Sequence, residues 1–203
     1  MKNYFVSGIG TDVGKTVASA ILCEALGADY WKPLQAGDLD NSDTIKVSKL
    51  ISNKKSKFWK EAYALPYPMS PHASAEKAGI EIDLNLIHLP EISNNLIIEG
   101  AGGLMVPVNR NTLYLDLIPR FNAEVILISR NYLGSINHTL LSAEALMVRG
   151  VPVKGIIFNG NENEATESII LEMTGFSFLG RIDEGKKIDK KFILQQAERF
   201  KQL

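Results

Sequence analysis

Short apolar runs alternate with longer amphipathic stretches along the whole chain. The runs that predict buried strands lie at 4–6, 29–32, 96–99, 124–129, 153–158 and 177–180. The stretches that predict helices lie at 17–26, 42–51, 113–121, 135–149, 164–174 and 189–200, with a single helical turn at 74–79. Continuous apolar strands that alternate with helices form parallel sheets covered on both faces. We therefore predict one α/β domain over residues 1–203, with a mostly parallel sheet and helices on both of its faces.

Three connections are also predicted from composition. Residues 52–60 are polar and lysine-rich, which indicates an exposed connection. Residues 64–73 contain three prolines, which indicates an ordered loop. Residues 100–103 read Gly-Ala-Gly-Gly, which indicates a glycine turn after the strand at 96–99.

A phosphate-binding loop is predicted at residues 8–16, between the first strand and the first helix. Glycines allow the main-chain N–H groups to point at a polyphosphate, and the helix N-terminus adds its partial positive charge. Lys15 suits the outer phosphates and the Thr16 hydroxyl suits Mg²⁺. The loop is a variant, because Ile9 stands where the strict pattern has its first glycine. It is a poorer match to the dinucleotide-binding pattern, whose third glycine is Val13 here. The fold is therefore predicted to be of the P-loop NTPase type.

Bulk composition excludes several classes of protein. The 203 residues carry 22 basic and 23 acidic side chains, a net charge of −1, so there is no electrostatic case for binding nucleic acid or an anionic membrane. The single cysteine, Cys23, is expected to be buried packing. No signal peptide is evident and the apolar runs have only the length of strands, so we expect a soluble cytoplasmic protein.

Polar residues that follow the predicted strands should meet at one edge of the sheet, because ligands of such sheets bind outside the carboxyl ends of the strands. Thr16, Asp43 and Glu99 together offer the hard oxygens that Mg²⁺ prefers. Asp43 taken alone is better explained as an acid in the first turn of a helix. Lys32 ends the second strand on the same side as Lys15, and two lysines beside one phosphate site suggest stabilisation of an anion.

Six further motifs accompany the loop in order along the chain. The first is the Val-Ala-Ser continuation of the loop at 17–19. The other five read Lys-Pro-Leu-Gln-Ala-Gly at 32–37, Asn-Ser-Asp at 41–43, Ser-Pro-His at 70–72, Glu-Gly-Ala-Gly-Gly at 99–103, and Leu-Gly-Ser-Ile-Asn-His at 133–138. This set resembles the dethiobiotin synthases, ATP-dependent enzymes that close the ureido ring in biotin synthesis. The resemblance extends over nearly the whole chain.

The resemblance implies a role for each matching position. The ATP-binding residues would be Asp12, Val13, Gly14, Lys15, Thr16, Val17, Asp43, Glu99, Gly100, Ala101, Gly102, Asn159, Gly160 and Asp183. Mg²⁺ would be held by Thr16, Asp43 and Glu99. The substrate-binding residues would be Thr11, Lys32, Ala36, Gly134, Ser135 and Asn137, and Thr11, Lys15 and Lys32 would act in catalysis. The family is homodimeric, so the segment 134–138 would complete the active site of the partner subunit.

Three positions depart from the family pattern. Ala36 replaces a serine or threonine, which removes a hydroxyl from the substrate side. Gly160 follows Asn159 where the family often has an acid. Asp183 stands near the nucleotide base where a proline is common. These positions leave the preference among ATP, CTP and GTP open.

The activity implied by the resemblance is formation of dethiobiotin from 7,8-diaminopelargonic acid, CO₂ and MgATP through a carbamate and a carbamic–phosphoric anhydride. Two alternatives share the same core. A cobalamin-pathway amidating synthetase would need an amidotransferase domain with a catalytic cysteine, and Cys23 is misplaced for that. A partitioning-type switch ATPase would carry a second lysine five residues before Lys15, where Gly10 stands.

Overall fold

The computed structural model describes all of residues 1–203 and has a seven-stranded parallel sheet at its centre. The strands are β1 (Asn3–Gly8), β2 (Asp29–Trp31), β3 (Leu34–Ala36), β4 (Phe58–Trp59), β5 (Tyr63–Leu65), β6 (Leu96–Gly103), β7 (Pro107–Asn109), β8 (Thr112–Leu113), β9 (Ala123–Arg130), β10 (Val153–Asn159) and β11 (Phe178–Ile182). The helices are α1 (Lys15–Leu26), α2 (Asp43–Leu50), α3 (Pro71–Ala78), α4 (Tyr114–Leu117), α5 (Ser135–Val148), α6 (Glu164–Thr174) and α7 (Lys190–Ala197). Single turns of 3₁₀ helix occupy 39–41, 84–86, 118–121 and 198–200. The predicted parallel sheet flanked by helices is confirmed.

The strand order places the phosphate loop beside β1, where the connections between strands change from one side of the sheet to the other. The order across the sheet is β11-β10-β9-β1-β6-β2-β4, so β1 lies centrally between β9 and β6. The connection through α1 leads from β1 to one side, and the connections through α5 and α6 lead from β9 to the other. Such a reversal opens a crevice outside the carboxyl ends of the strands, where ligands of α/β proteins bind. The loop after β1 lies in that crevice.

Two predicted connections are wrong in part. Phe58 and Trp59, within the stretch predicted to be exposed, form β4 and pair with β2 at the sheet edge. The indole N–H of Trp59 donates to Asp29 at 3.1 Å, and the Phe58 ring packs against Tyr30. Two aromatic side chains therefore hold this segment against the sheet although its other residues are polar. Burial of the two rings contributes more free energy than the conformational propensity of a short segment.

The proline-rich segment is also more regular than predicted. Tyr63–Leu65 forms β5 and pairs in parallel with β3, which lies just after Pro33. Helix α3 begins at Pro71 and not at Ser74, with Ser70 in the N-cap position. Proline fits the first turn of a helix, because its missing N–H has no partner there in any case.

The predicted glycine turn at 100–103 is a continuation of β6, which runs to Gly103. The main chain of Gly103 pairs with Gly8, so the ladder with β1 extends to the start of the phosphate loop. A Cβ at Gly100 would lie 3.0 Å from the Phe5 ring, so glycine allows the close approach of the two strands. A further antiparallel pair, β7 with β8, follows after a short turn.

Candidate functional site

The phosphate loop has the strained conformation that its sequence predicts. Gly14 takes φ +94°, and Asp12 takes φ +57°, both in the left-handed region. A side chain at Gly14 would overlap the amide of Asn159, so the position needs glycine for space as well as for conformation. Helix α1 begins at Lys15, which leaves the first N–H groups of α1 free at the loop. The Lys15 ammonium donates to the Gly10 carbonyl at 2.8 Å.

A buried charge cluster lies beside the loop, at the middle of β6 and just past the end of β2. Glu99 is 1% exposed, and its Oε1 accepts from the Thr16 hydroxyl at 2.8 Å and from Lys32 Nζ at 3.2 Å. Lys32 Nζ also lies 2.6 Å from Asp43 Oδ2, on the first residue of α2. Ser42 caps that helix by accepting from the Ile45 N–H, so Asp43 is both a first-turn acid and a member of the cluster.

The cluster is fixed by mutual charge compensation. Burial works against the charge on Lys32, but the carboxylates of Glu99 and Asp43 outweigh it and raise the pKa of Lys32 above its usual range. Desolvation likewise opposes ionisation of Asp43, but Lys32 and then Lys46 lower the pKa of Asp43. Lys32 is therefore a permanent cation and Asp43 a permanent anion at neutral pH.

Lys15 differs from Lys32 because its opposite charges are farther away. Burial lowers the pKa of Lys15, Glu99 opposes this and Lys32 adds to it, and the net result is a fall from 10.5 to about 8. A fraction of Lys15 is therefore neutral in the free protein just above pH 8.

We expect the affinity for ATP to be constant up to about pH 8 and then to fall by up to about tenfold per pH unit. Neutral Lys15 has to take up a proton before it pairs with a phosphate, and that cost grows as the pH rises above its pKa. Calorimetric titration with excess Mg²⁺ between pH 7 and 9.5 measures this. Lys15→Arg is the control, because arginine keeps its charge and should remove the inflection. A flat affinity profile across this range in the unmodified protein would contradict the assignment of Lys15 to the phosphates.

Two residues that the sequence analysis missed hold the acids in place. The hydroxyl of Tyr30, buried on β2, donates to Glu99 Oε2 at 2.9 Å. The side chain of Gln35 accepts from the Asp43 N–H at 3.2 Å and donates to the Gly37 carbonyl at 3.0 Å. Burial and then the Glu99 charge raise the pKa of Tyr30 well above its usual value, so it remains a donor. Tyr30 lies on β2 and Lys32 follows two residues later, directly after the strand, and that spacing was a signal available in the sequence.

A cavity of about 730 Å³ lies over the cluster, and most of the predicted residues meet there. The predicted residues that line it are Thr11, Asp12, Gly14, Lys15, Thr16, Val17, Lys32, Ala36, Asp43, Glu99, Ala101 and Gly102. The segment 68–71 and Val106 also line it. The cavity is therefore lined both by phosphate-binding groups of the loop and by weakly polar groups.

A second cavity, of about 240 Å³, adjoins the first and shares Asp12, Gly14 and Val17 with it. Asn159, Gly160 and Asp183 line it, as does Arg130, which the sequence analysis missed although it ends β9. The position suits a nucleotide base whose phosphates lie on the loop.

The side chains of Asn159 and Asp183 are already engaged in part. Asn159 Nδ2 donates to the Val13 carbonyl at 2.8 Å, which leaves its Oδ1 as the available acceptor. The Asp183 carboxylate accepts from Arg199 at 2.7 and 2.8 Å and from Gln196 at 3.1 Å. The Asp183 N–H also donates to Gln196 Oε1 at 3.1 Å, so contact of Asp183 with a base would come from its main-chain carbonyl.

The remaining predicted residues lie outside both cavities. Val13 is buried beneath the loop, and Gly100 is buried in β6 with its carbonyl 3.4 Å from Lys32 Nζ. Gly134, Ser135 and Asn137 are at the start of α5 and line neither cavity of their own chain. The Ser135 hydroxyl is buried there without a hydrogen-bond partner.

The cluster suits a hard divalent cation by its chemistry. Thr16, Asp43 and Glu99 present only oxygen atoms, and they come from α1, α2 and β6, around the loop that would hold the phosphates. Mg²⁺ binds through a few hydroxyl or carboxylate oxygens together with phosphate and water. The residues present therefore fit the predicted metal.

Comparison with known proteins decides the family. A family model described as "AAA domain" matches residues 2–191. The chain is 56% identical to an ATP-dependent dethiobiotin synthetase of Christiangramia forsetii over 98% of this chain and 96% of that protein. It is 51% identical to the ATP-dependent dethiobiotin synthetase of Cytophaga hutchinsonii over 97% and 96% of the two chains. The chain belongs to the dethiobiotin synthetase family.

The likeness to solved structures shows the fold of the chain. A ParA family ATPase from Chlorobium tepidum superposes with a TM-score of 0.58 at 12% identity, covering 97% of this chain and 98% of that chain. The cell division ATPase MinD of Pyrococcus furiosus gives a TM-score of 0.57 at 14% identity, over 100% and 99% of the two chains. At such identities the agreement extends to the P-loop NTPase fold alone.

The predicted enzyme class is confirmed by the curated relatives: the chain is an ATP-dependent ligase of biotin biosynthesis. This decides against the switch ATPase and the amidating synthetase as alternatives. None of its helices combines the length and the apolar character needed to cross a lipid bilayer.

Proposed function

We propose that the protein, acting as one domain over residues 1–203, converts 7,8-diaminopelargonic acid, CO₂ and MgATP to dethiobiotin, ADP and phosphate. One observation carries the proposal above the others. Lys32, buried between Glu99 and Asp43, lines the 730 Å³ cavity together with Lys15 and the phosphate loop. An anion formed from the substrate there would meet the outermost phosphate of ATP between two lysines.

The proposed reaction has three steps. One amine of the substrate adds to CO₂ and loses a proton, which gives a carbamate. A carbamate oxygen attacks the γ-phosphorus of ATP and expels ADP, which gives the carbamic–phosphoric anhydride. The second amine then attacks the carbamoyl carbon, loses its proton and expels phosphate as the cyclic urea closes.

The protein's part is to position the reactants and to balance their charge, since the site offers no evident nucleophile. Lys15 and the free N–H groups of the loop would hold the β- and γ-phosphates. Lys32 would neutralise the carbamate and the transferring phosphoryl group, with Thr11 beside it on the cavity wall. Mg²⁺ held by Thr16, Asp43 and Glu99 would draw negative charge from the phosphate oxygens.

The base of the nucleotide would occupy the 240 Å³ cavity. Because Asn159 donates to the Val13 carbonyl, its free Oδ1 would accept from an exocyclic amino group. That arrangement suits adenine; cytosine and guanine also carry an exocyclic amino group, so this contact alone does not select among the three. The main chain at 182–185 would contribute the remaining contacts.

We further propose a homodimer in which the segment 134–138 completes the partner's site. The exposed apolar side chains around the start of α5 support this, since Leu133 is 104% and Leu141 56% exposed. The N-terminus of α5 suits the carboxylate of the substrate through its free N–H groups and macrodipole. Asn137 is exposed at that end and is the side chain available to a partner subunit, whereas the Ser135 hydroxyl is buried.

Product analysis tests the proposed reaction. The protein incubated with 7,8-diaminopelargonic acid, ¹³C-bicarbonate and MgATP should give dethiobiotin with ¹³C in the ureido carbonyl, and one ADP per product. Omission of either bicarbonate or the diamine should abolish ADP formation. ADP released at an equal rate without the diamine, and no labelled urea in the complete mixture, would refute the reaction.

A further inference from the structure

The hydroxyl of Tyr30 contacts Glu99 from outside the loop, the lysines and the acids of the charge cluster. It donates to Glu99 Oε2 at 2.9 Å, whereas Thr16 and Lys32 both contact Oε1. The two oxygens of this carboxylate therefore have separate partners. Oε2 is bound to a neutral donor inside the sheet, and Oε1 faces the phosphate loop.

The sheet register explains how Tyr30 reaches this carboxylate. Tyr30 on β2 lies opposite Ile97 on β6, and side chains alternate along each strand. Glu99, two residues after Ile97, therefore extends from the same face as Tyr30 and is its diagonal neighbour across the strand pair. Diagonal neighbours lie within reach of an aromatic side chain.

The tyrosine ring itself is held rigidly. Tyr30 has no exposed surface, and its ring packs against Phe58 of β4 with centroids 6.1 Å apart. β4 in turn pairs with β2 through Tyr30 and Trp31. A donor on a side chain locked by packing fixes the rotation of the carboxylate to which it is bonded.

We propose that Tyr30 is a positioning residue for the metal site, which holds Glu99 by one oxygen so that the other faces Thr16 and the phosphates. The inference rests on the proposed role of Glu99 in binding Mg²⁺. It predicts that loss of the hydroxyl weakens metal binding and leaves nucleotide binding without metal unchanged. The substrate side of the cavity should also be unaffected, since Tyr30 does not line it.

Tyr30→Phe tests this, because phenylalanine keeps the ring and its packing and removes only the donor. Binding of Mn²⁺ in the presence of ADP, followed by the electron paramagnetic resonance signal of free Mn²⁺, should weaken about tenfold. The Mg²⁺ concentration that gives half-maximal dethiobiotin formation should rise by a similar factor, and saturating Mg²⁺ should restore kcat. Calorimetry of ADP without metal should give the affinity of the unmodified protein.

Tyr4→Phe is the matched control. Tyr4 is buried on β1, lies opposite the same Ile97, and makes no hydrogen bond to Glu99. Tyr4→Phe should leave the affinity for Mn²⁺ unchanged. The thermal unfolding midpoints of Tyr4→Phe and Tyr30→Phe show how much each substitution changes the stability of the fold. Equal Mn²⁺ affinity in Tyr30→Phe and the unmodified protein would overturn the inference, as would a lower kcat that saturating Mg²⁺ does not restore. If the unmodified protein itself bound no Mn²⁺ with ADP, the metal site would fall and the inference with it.

Discussion

Lys32→Gln should lower the rate of dethiobiotin formation about 10²–10³-fold and leave the affinity for ATP within a few-fold of that of the unmodified protein. Lys32 contacts Glu99 and Asp43 and lines the open cavity, but the phosphate loop binds ATP through Lys15 and its own N–H groups. What the variant loses is a positive charge where charge develops in the transition state. Steady-state assays of labelled product together with calorimetry of MgATP separate the two quantities.

The control variant replaces Lys46, a second lysine that contacts Asp43. Lys46 lies 3.5 Å from Asp43 and 2.8 Å from Asp38, on the solvent side of α2 and outside the cavity. Lys46→Gln should therefore leave the turnover within about twofold, because exposed ion pairs contribute little. If calorimetry showed the ATP affinity of Lys32→Gln falling in step with its activity, the assignment of Lys32 to the chemical step would be wrong.

Lys32→Gln should also make the fold less stable. Glu99 is 1% exposed and would keep only neutral hydrogen-bond donors, since Lys32 is the cation in contact with it. Removing one partner of a buried ion pair costs about 3–5 kcal/mol in typical proteins. Circular dichroism at the assay temperature is needed to show that the variant is folded when its turnover is measured.

The cluster was predictable from sequence because its members follow from one rule of parallel sheets. Glu99 closes the apolar run of β6, Lys32 directly follows β2, and the carboxyl ends of parallel strands lie at the same edge of the sheet. The phosphate loop was predictable because glycine and the Lys-Thr pair are needed for its local conformation and charge. The resemblance to a family then identified the second cavity, which no local pattern indicates.

The parts that escaped prediction depend on contacts between distant segments. The hydrogen bond from Tyr30 to Glu99 requires the register of β2 against β6, which a single sequence does not contain. β4 has only two residues, too few for a periodic pattern. The glycines at 100–103 disfavour a strand by propensity, and the ladder with β1 is bulged there: Val6 pairs with Glu99, Gly8 pairs with Gly103, and Gly102 between them takes φ +61°.

Two inactive variants should restore each other's activity if the dimer shares its sites. One parent is Lys32→Gln, and the other carries Ser135→Ala and Asn137→Ala at the start of α5. In a mixed dimer, one site receives both lesions and the other receives neither. Equal mixing makes about half of all dimers mixed, so about a quarter of all sites should be intact. Dethiobiotin formation should therefore rise from the level of the parents to about a quarter of that of the unmodified protein.

The experiment depends on the separation of the two lesions within one chain. Lys32 lines the large cavity, and Ser135 and Asn137 line neither cavity of their own subunit. If both lesions acted in one subunit's site, every subunit in the mixture would carry one of them, and no combination would give an intact site. Subunit exchange has to be shown independently, with differently tagged parents and purification through both tags. Doubly tagged dimers that remain as inactive as the parents would therefore refute the shared site and leave the phosphate loop and Lys32 assignments intact.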